Sequence, residues 1–429
     1  MKIKDHIGKI SWSFLDKLVM ILFGLFTLFQ LKYLSPSEYA FYAALLNINN
    51  WILMATDGFA LQGLVQFGHK NKESANKIGL VTAFIFSIGL SLIIFSARGA
   101  FAYFANNSSY SAALVMLPLT VLLTIPKNYI TKIFYRELKF NLVFYLNLIF
   151  FGTQVIATFY FLNLHNNLNF DLMLLIYFSG ALLSGFVALI MSLKYLKFKS
   201  TENISIKEYL LFGVTVSQQS ILHSIPKVYD LFIVSHFFGP AGAGVYQSAK
   251  TLYRAFDEAA SAAHGLIYPA AVKLIAYKDN EGLKSMLTKA ISMMLFIFIF
   301  LIIVLNLGLT EFIITGFGLT KYSSAINIFN ILILSALFVP LVLITPVMNA
   351  MNQHKLVLKY VFFSVIASMI SFVVIGKYLS LEFMGLGLFV YNAVLGVWSY
   401  IYIRNGLAIN FKDLFRSYGD ILNFVKQNK

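Results

Sequence analysis

Long apolar runs recur along this chain, separated by short polar clusters. A helix needs about 20 mostly apolar residues to cross a bilayer. Twelve segments meet that requirement: 10–32, 39–66, 78–97, 110–131, 140–163, 172–193, 208–236, 241–271, 286–308, 322–351, 356–376 and 383–403. The spans near 39, 208, 241 and 322 are longer and more polar than simple lipid-facing helices. The pattern predicts an all-α polytopic membrane protein: twelve transmembrane helices in two six-helix lobes around a central cavity. The first run, Ser11–Leu34, is too long for a signal-peptide core, carries Asp16 and Lys17, and is followed by no small-residue cleavage site. It reads as a retained first helix.

Composition supports this class: 59% of the 429 residues are hydrophobic and 12% charged. The net charge of +15 invites a nucleic-acid partner, but its distribution argues otherwise. With the N-terminus in the cytoplasm, twenty-four of the 33 Lys and Arg fall on inner loops and span ends, and only Lys32, Arg98, Lys321 and Lys377 fall outside. That bias is the positive-inside signal and predicts a plasma-membrane protein with both termini cytoplasmic. No nucleic acid is required. The tail 405–429 has the pattern of a short amphipathic surface helix.

The densest basic inner loop, Lys194–Lys207, divides the spans six and six. The expected organisation is a first lobe at 1–197, an inter-lobe loop at 198–207, a second lobe at 208–404 and a cytoplasmic tail at 405–429. Pro36 and Tyr42 recur as Pro240 and Tyr246, both offset by 204 residues, and Lys139 aligns with Lys355. These matches suggest a parallel repeat, and in such transporters substrate sites lie near the midplane between repeats.

The remaining five basic residues, Lys17, Lys127, Lys227, Lys250 and Arg254, lie within spans. A charge at the bilayer centre costs about 2.5–3.5 kcal/mol on the insertion scale, so such residues face a watery cavity or a charged partner. Span 8 carries Lys250, Arg254, Asp257 and His264 on one stripe, with Glu258 beside it. Span 7 carries Gln219, His223, Lys227 and Asp230 at spacings of 4, 4 and 3, with Pro226 expected to kink it. Span 2 carries Asn47, Asn50 and Asp57. Two accounts stay open at this level. Five acids in the spans, Asp16, Asp57, Asp230, Asp257 and Glu258, could simply neutralise the five bases, with Lys227–Asp230 and Arg254–Glu258 as intrahelical pairs. Lys17 could snorkel to the inner surface, and His223 and His264 could be hydrogen-bonded bundle residues. Alternatively the bases line an aqueous cavity that accepts an anion.

No Gly-Lys-Ser/Thr phosphate loop exists, so ATP is not the energy source of this chain. No His/Asp/Glu cluster has metal-ligand spacing, and cysteine is absent. Neither cofactor, metal nor catalytic residue is predicted.

Two segments carry a family resemblance. Leu34, Ser35, Tyr39, Asp57 and Gly58 match the second-helix region of bacterial O-antigen and polysaccharide flippases. Asp230, Phe238, Gly239, Gly244 and Tyr246 match that family's helix 7–8 junction, although Phe238 and Gly239 are adjacent here. Tyr135–Phe140 resembles its basic helix 4–5 loop. The chain thus resembles the multidrug/oligosaccharidyl-lipid/polysaccharide exporter superfamily. The resemblance implies a V-shaped pair of six-helix lobes that moves undecaprenyl-diphosphate-linked oligosaccharide to the outer leaflet by alternating access in the bacterial inner membrane. It implies a lipid-linked substrate, membrane lipids and other polysaccharide-assembly proteins as partners. Lys250, Arg254 and Lys227 would receive the diphosphate, with Lys17 and Lys127 at the inner mouth. Asp57, Asp257 or Glu258 would bind a coupling proton or sodium ion. A multidrug/cation antiporter of the same superfamily is the alternative. A polysaccharide polymerase or ligase is disfavoured, because the outer loops are short and nearly lack Arg and His.

Overall fold

The computed structural model describes residues 3–68, 71–196 and 204–414, with side chains from residue 11 onward. Among these residues the chain is helical and contains no strand. The long helices are α1 (Ile3–Leu31), α2 (Pro36–Thr56), α3 (Lys72–Ser96), α4 (Leu117–Arg136), α5 (Phe140–His165), α6 (Phe170–Ser192), α7 (Ile206–Ser224), α8 (Pro226–Ala276), α9 (Asn280–Val304), α10 (Ala325–Leu332), α11 (His354–Tyr378) and α12 (Gly385–Leu407). Side-chain caps set several starts. Ser35 accepts from the Glu38 N–H, Asn71 from that of Ser74, and Asn169 from that of Leu172. Each such cap is worth about 1 kcal/mol.

Nine helices among the described residues are long and apolar enough to cross a membrane, or ten if the bent pair Ala325–Leu337 and Val339–Ala350 counts as one span. This differs from the twelve expected in two places. The helix running from Pro36 to Phe67 falls outside that set, because Asn47, Asn49, Asn50, Asp57 and Gln62 lower its apolarity. Ile206–Ala276 counts as one stretch of 71 residues. At 1.5 Å per residue that is about 107 Å, several times the ~30 Å bilayer core, so its length fits more than one crossing. It is broken before Pro226 and again at Gly239, whose φ of 71° no regular helix contains.

The packing is that of a membrane protein. Phe14, Ile85, Ile93, Ile156, Phe186 and Phe300 are exposed, while Ser87, Ser91, Ser184, Ser364, Ser368 and Ser399 are buried. Lipid tails solvate the large apolar side chains, and small residues let helix backbones approach. Several of these buried hydroxyls bond within their own helices, as Ser87 does to the Ala83 carbonyl at 2.6 Å and Ser364 to that of Tyr360 at 2.7 Å. The protein is a multi-pass membrane protein.

Two compact units form, Met1–Gln247 and Ser248–Lys429. The first ends later than the basic loop that divides the sequence six and six, because α7 packs on α2. A Cβ on Gly213 of α7 would meet the Phe59 carbonyl oxygen at 2.0 Å, and one on Gly58 would meet the Ser217 Cα at 2.8 Å. The core of this unit gathers Leu61, Leu64, Tyr129, Ile133, Phe134 and Leu146 from four elements. In the second unit α11 and α12 form a hairpin. There Gly387 receives the Phe372 ring and its carbonyl accepts the Ser368 hydroxyl at 2.7 Å. Of the tail expected as a surface helix, only a short turn to Leu414 is described, and residues 415–429 lie outside the described residues.

Candidate functional site

The first unit holds a polar centre on α1, α4 and α5. Asp16 of α1 is 4% exposed and accepts a hydrogen bond from the Asn147 amide of α5 at 2.6 Å. Lys127 of α4, directly after Pro126, is half-buried. Its ammonium sits 4.0 Å from the centre of the Phe150 ring and 5.7 Å from that of Phe151, and Asp16 acts on it electrostatically. A cation is thus held by a carboxylate and two aromatic faces, which replace part of its lost hydration. Lys17, next in sequence to Asp16, is partly exposed on a different face of α1.

A second centre lies just past the C-terminal end of α2. There the helix widens into one π-turn, Asp57–Leu61, in which the Gln62 N–H bonds to the Asp57 carbonyl. The Lys132 ammonium lies 2.8 Å from one Asp57 carboxylate oxygen and 3.0 Å from the other, and the Gln62 amide donates to the latter at 3.0 Å. Sequence reasoning missed Lys132. Ending the fourth span at 131 made it a loop residue counted with the topology charges, whereas α4 continues to Arg136. The helical register of Tyr129, Ile133 and Arg136 was the available signal.

The third centre joins two residues of the helix 7–8 motif. Asp230 is 1% exposed and accepts a hydrogen bond from the Tyr246 hydroxyl at 3.0 Å. Nearby along the chain, the Asn47 amide donates to Gln247 at 3.3 Å, and Asn50 is exposed. Gln219 and His223 are partly buried on α7, and Lys227 is exposed on the first turn of α8. The interruption before Pro226 divides the expected four-residue stripe between two helices.

In the second unit, Arg254 and Glu258 form the i, i+4 pair expected from their spacing, at 3.7 Å. The Arg254 side chain is 41% exposed, so the pair contributes only about 0–1 kcal/mol. Lys250, Asp257 and Glu258 are partly buried and His264 is exposed. The candidate bases are therefore distributed over both units: Lys17, Lys127 and Lys227 in the first, Lys250 and Arg254 in the second. With Lys132 the described helices carry six such bases against the five acids Asp16, Asp57, Asp230, Asp257 and Glu258.

The chain has a fold already seen in solved structures. Its fold is similar to that of a multidrug resistance MATE family transporter of the MOP superfamily in an inward-facing conformation, at TM-score 0.74 and 14% identity, over 94% of this chain and 98% of the other. It is also similar to the lipid II flippase MurJ in an inward closed conformation, at TM-score 0.64 and 16% identity, over 96% and 90% of the two chains. A MOP superfamily transporter from Pyrococcus furiosus, described by the reversed polarity of its binding pocket, matches at TM-score 0.64 and 13% identity over 93% and 96%. No curated protein matches the sequence. The family model for polysaccharide biosynthesis proteins matches residues 32–327, and the chain belongs to that family.

Proposed function

We propose that this protein is a flippase that carries an undecaprenyl-diphosphate-linked oligosaccharide, a repeat unit of O-antigen or another surface polysaccharide, from the inner to the outer leaflet of the bacterial plasma membrane. The family match carries this reading. It covers the stretch that contains Lys127, Lys227, Lys250 and Arg254. A diphosphate headgroup needs charged donors within the membrane, and Arg is the better bidentate ligand while Lys acts as a point charge. Both termini stand in the cytoplasm on this reading, and the protein acts by alternating access rather than as an enzyme. A proton or sodium gradient drives it through Asp57, Asp257 or Glu258. Its partners are the lipid-linked substrate, the surrounding lipids and other polysaccharide-assembly proteins.

The test is complementation of a strain that lacks its own flippase. Arg254→Ala and Lys250→Ala are expected to abolish surface polysaccharide while the protein still reaches the membrane. Normal polymer from both variants overturns the diphosphate role. The likeness to the MATE transporter favours a second reading, a multidrug/cation antiporter. Under that reading the variants leave polysaccharide untouched and alter drug resistance instead.

A further inference from the structure

The Asp57–Lys132–Gln62 centre has no place in the reading above beyond Asp57 itself. Lys132 touches both carboxylate oxygens, so Asp57 holds a cation that is covalently part of the protein. The pair is open on one side, with side-chain exposures of 38% for Asp57 and 15% for Lys132. Asn47, Asn50 and Asp57 are separated by 3 and 7 residues, which places them on one face of α2, and Asn50 on that face is exposed. An exposed polar stripe within membrane helices faces water rather than lipid tails. The π-turn at Asp57–Leu61 is a second, independent mark, since such turns recur at functional sites.

We propose that Lys132 is a reserve ligand for a diphosphate group, held in check by Asp57. A half-open ion pair adds little stability, so separating it is inexpensive. Chloride carries no more charge than the Asp57 carboxylate and gains nothing by displacing it. A diphosphate carries more charge and several acceptor oxygens, and it draws the ammonium away. Gln62 stays on Asp57 when Lys132 leaves, so the carboxylate keeps a donor. Asp57 thereby makes the site selective for multiply charged anions. Position adds to the argument: Asp57 stands ten residues before the end of the helical stretch at Phe67, which is about 15 Å along the axis. With the N-terminus inside, that is the inner part of the span, where a lipid-linked diphosphate first arrives. The inference rests on the flippase reading for its ligand.

The experiment measures binding to the full chain in nanodiscs with two probes, undecaprenyl diphosphate and inorganic pyrophosphate. Lys132→Gln is expected to weaken undecaprenyl diphosphate binding about tenfold, the loss of one charge-assisted hydrogen bond. Lys132→Arg restores it. Asp57→Asn frees Lys132, tightens binding and makes it sensitive to chloride. Unchanged affinity in Lys132→Gln overturns the proposal, and so does unchanged affinity in Asp57→Asn, which applies even where Lys132→Gln fails to fold. Lys132-dependent binding of pyrophosphate alone overturns the lipid assignment. Failure of the wild-type protein to bind the lipid at all overturns the flippase reading itself, an outcome distinct from equal binding by wild type and variants.

Discussion

The Tyr246 hydroxyl donates to the buried Asp230 carboxylate at 3.0 Å across the break at Gly239. Sixteen residues separate the pair in sequence. Within a continuous helix that separation would span about 24 Å. The two meet because Gly239, with φ at 71°, turns the chain between them. The motif that carries the family resemblance is thus a structural clasp: an acid, a glycine break and a tyrosine that closes it.

Removing the clasp's hydroxyl should destabilise the protein without touching any candidate ligand. Tyr246→Phe leaves a buried carboxylate short of a donor, at a cost of about 1–3 kcal/mol. Asp230→Asn should cost less, since an amide oxygen still accepts from Tyr246. The check is thermal unfolding in detergent, with the tyrosine variant melting below the asparagine variant.

Two glycines of the same junction should respond differently. A Cβ on Gly244 would lie 1.8 Å from the Pro36 carbonyl oxygen, a backbone atom that cannot turn aside. A Cβ on Gly239 meets nothing within 4 Å, so only its positive φ opposes a side chain. Gly239→Ala is expected to cost about 1–3 kcal/mol from its positive-φ, extended-ψ conformation alone, which only glycine adopts readily. Gly244→Ala is expected to exceed it and to lower folded yield, because overpacking against backbone moves α2 itself. Size-exclusion profiles of the two variants make the comparison.

The membrane class of this protein was legible because long apolar runs need no tertiary information. So was the Arg254–Glu258 pair, which follows from helical spacing alone. The partner of Asp57 was not, because Lys132 comes from a helix 75 residues away. A basic residue near a span end looks the same in sequence whether it lies in a loop or on a helix face. Asn147 was hidden for a similar reason: a single Asn in the apolar run of α5 gains meaning only beside Asp16. The span count diverged where polarity serves packing between helices, in α2, and where Ile206–Ala276 runs on as one helical stretch despite its interruptions before Pro226 and at Gly239.

Asp16 and Lys127 should behave as a coupled pair in a double-mutant cycle. Lys127→Met leaves the buried Asp16 with Asn147 but without its cation. Because Lys127 is itself only half-buried, the expected loss is about 1–3 kcal/mol, below that of a fully buried pair. Adding Asp16→Asn should recover part of the loss, since two neutral groups then face each other. Strict additivity in unfolding measurements would show that Asp16 is neutralised by another group.

Glu137 provides a pH test outside the membrane helices. Its carboxylate lies 2.8 Å from Lys72 and 3.1 Å from Arg136, and Arg136 in turn bonds Asn76 at 2.8 Å. Partial burial alone would raise this carboxyl, but Lys72 and Arg136 outweigh burial and hold it below its ordinary value of 4.5. A folded value lower than the unfolded one means that the unfolded state binds the proton first. The stabilisation is therefore fully present above the ordinary range and is lost as pH falls through the lowered folded value. Glu137→Gln is expected to melt below wild type at neutral pH, and the difference should shrink as the pH drops under 4.5. Lys72→Gln should reduce the same difference at neutral pH, less severely, because Lys72 is 58% exposed. A melting difference between Glu137→Gln and wild type that stays constant with pH would show that the glutamate acts through packing and not through its charge.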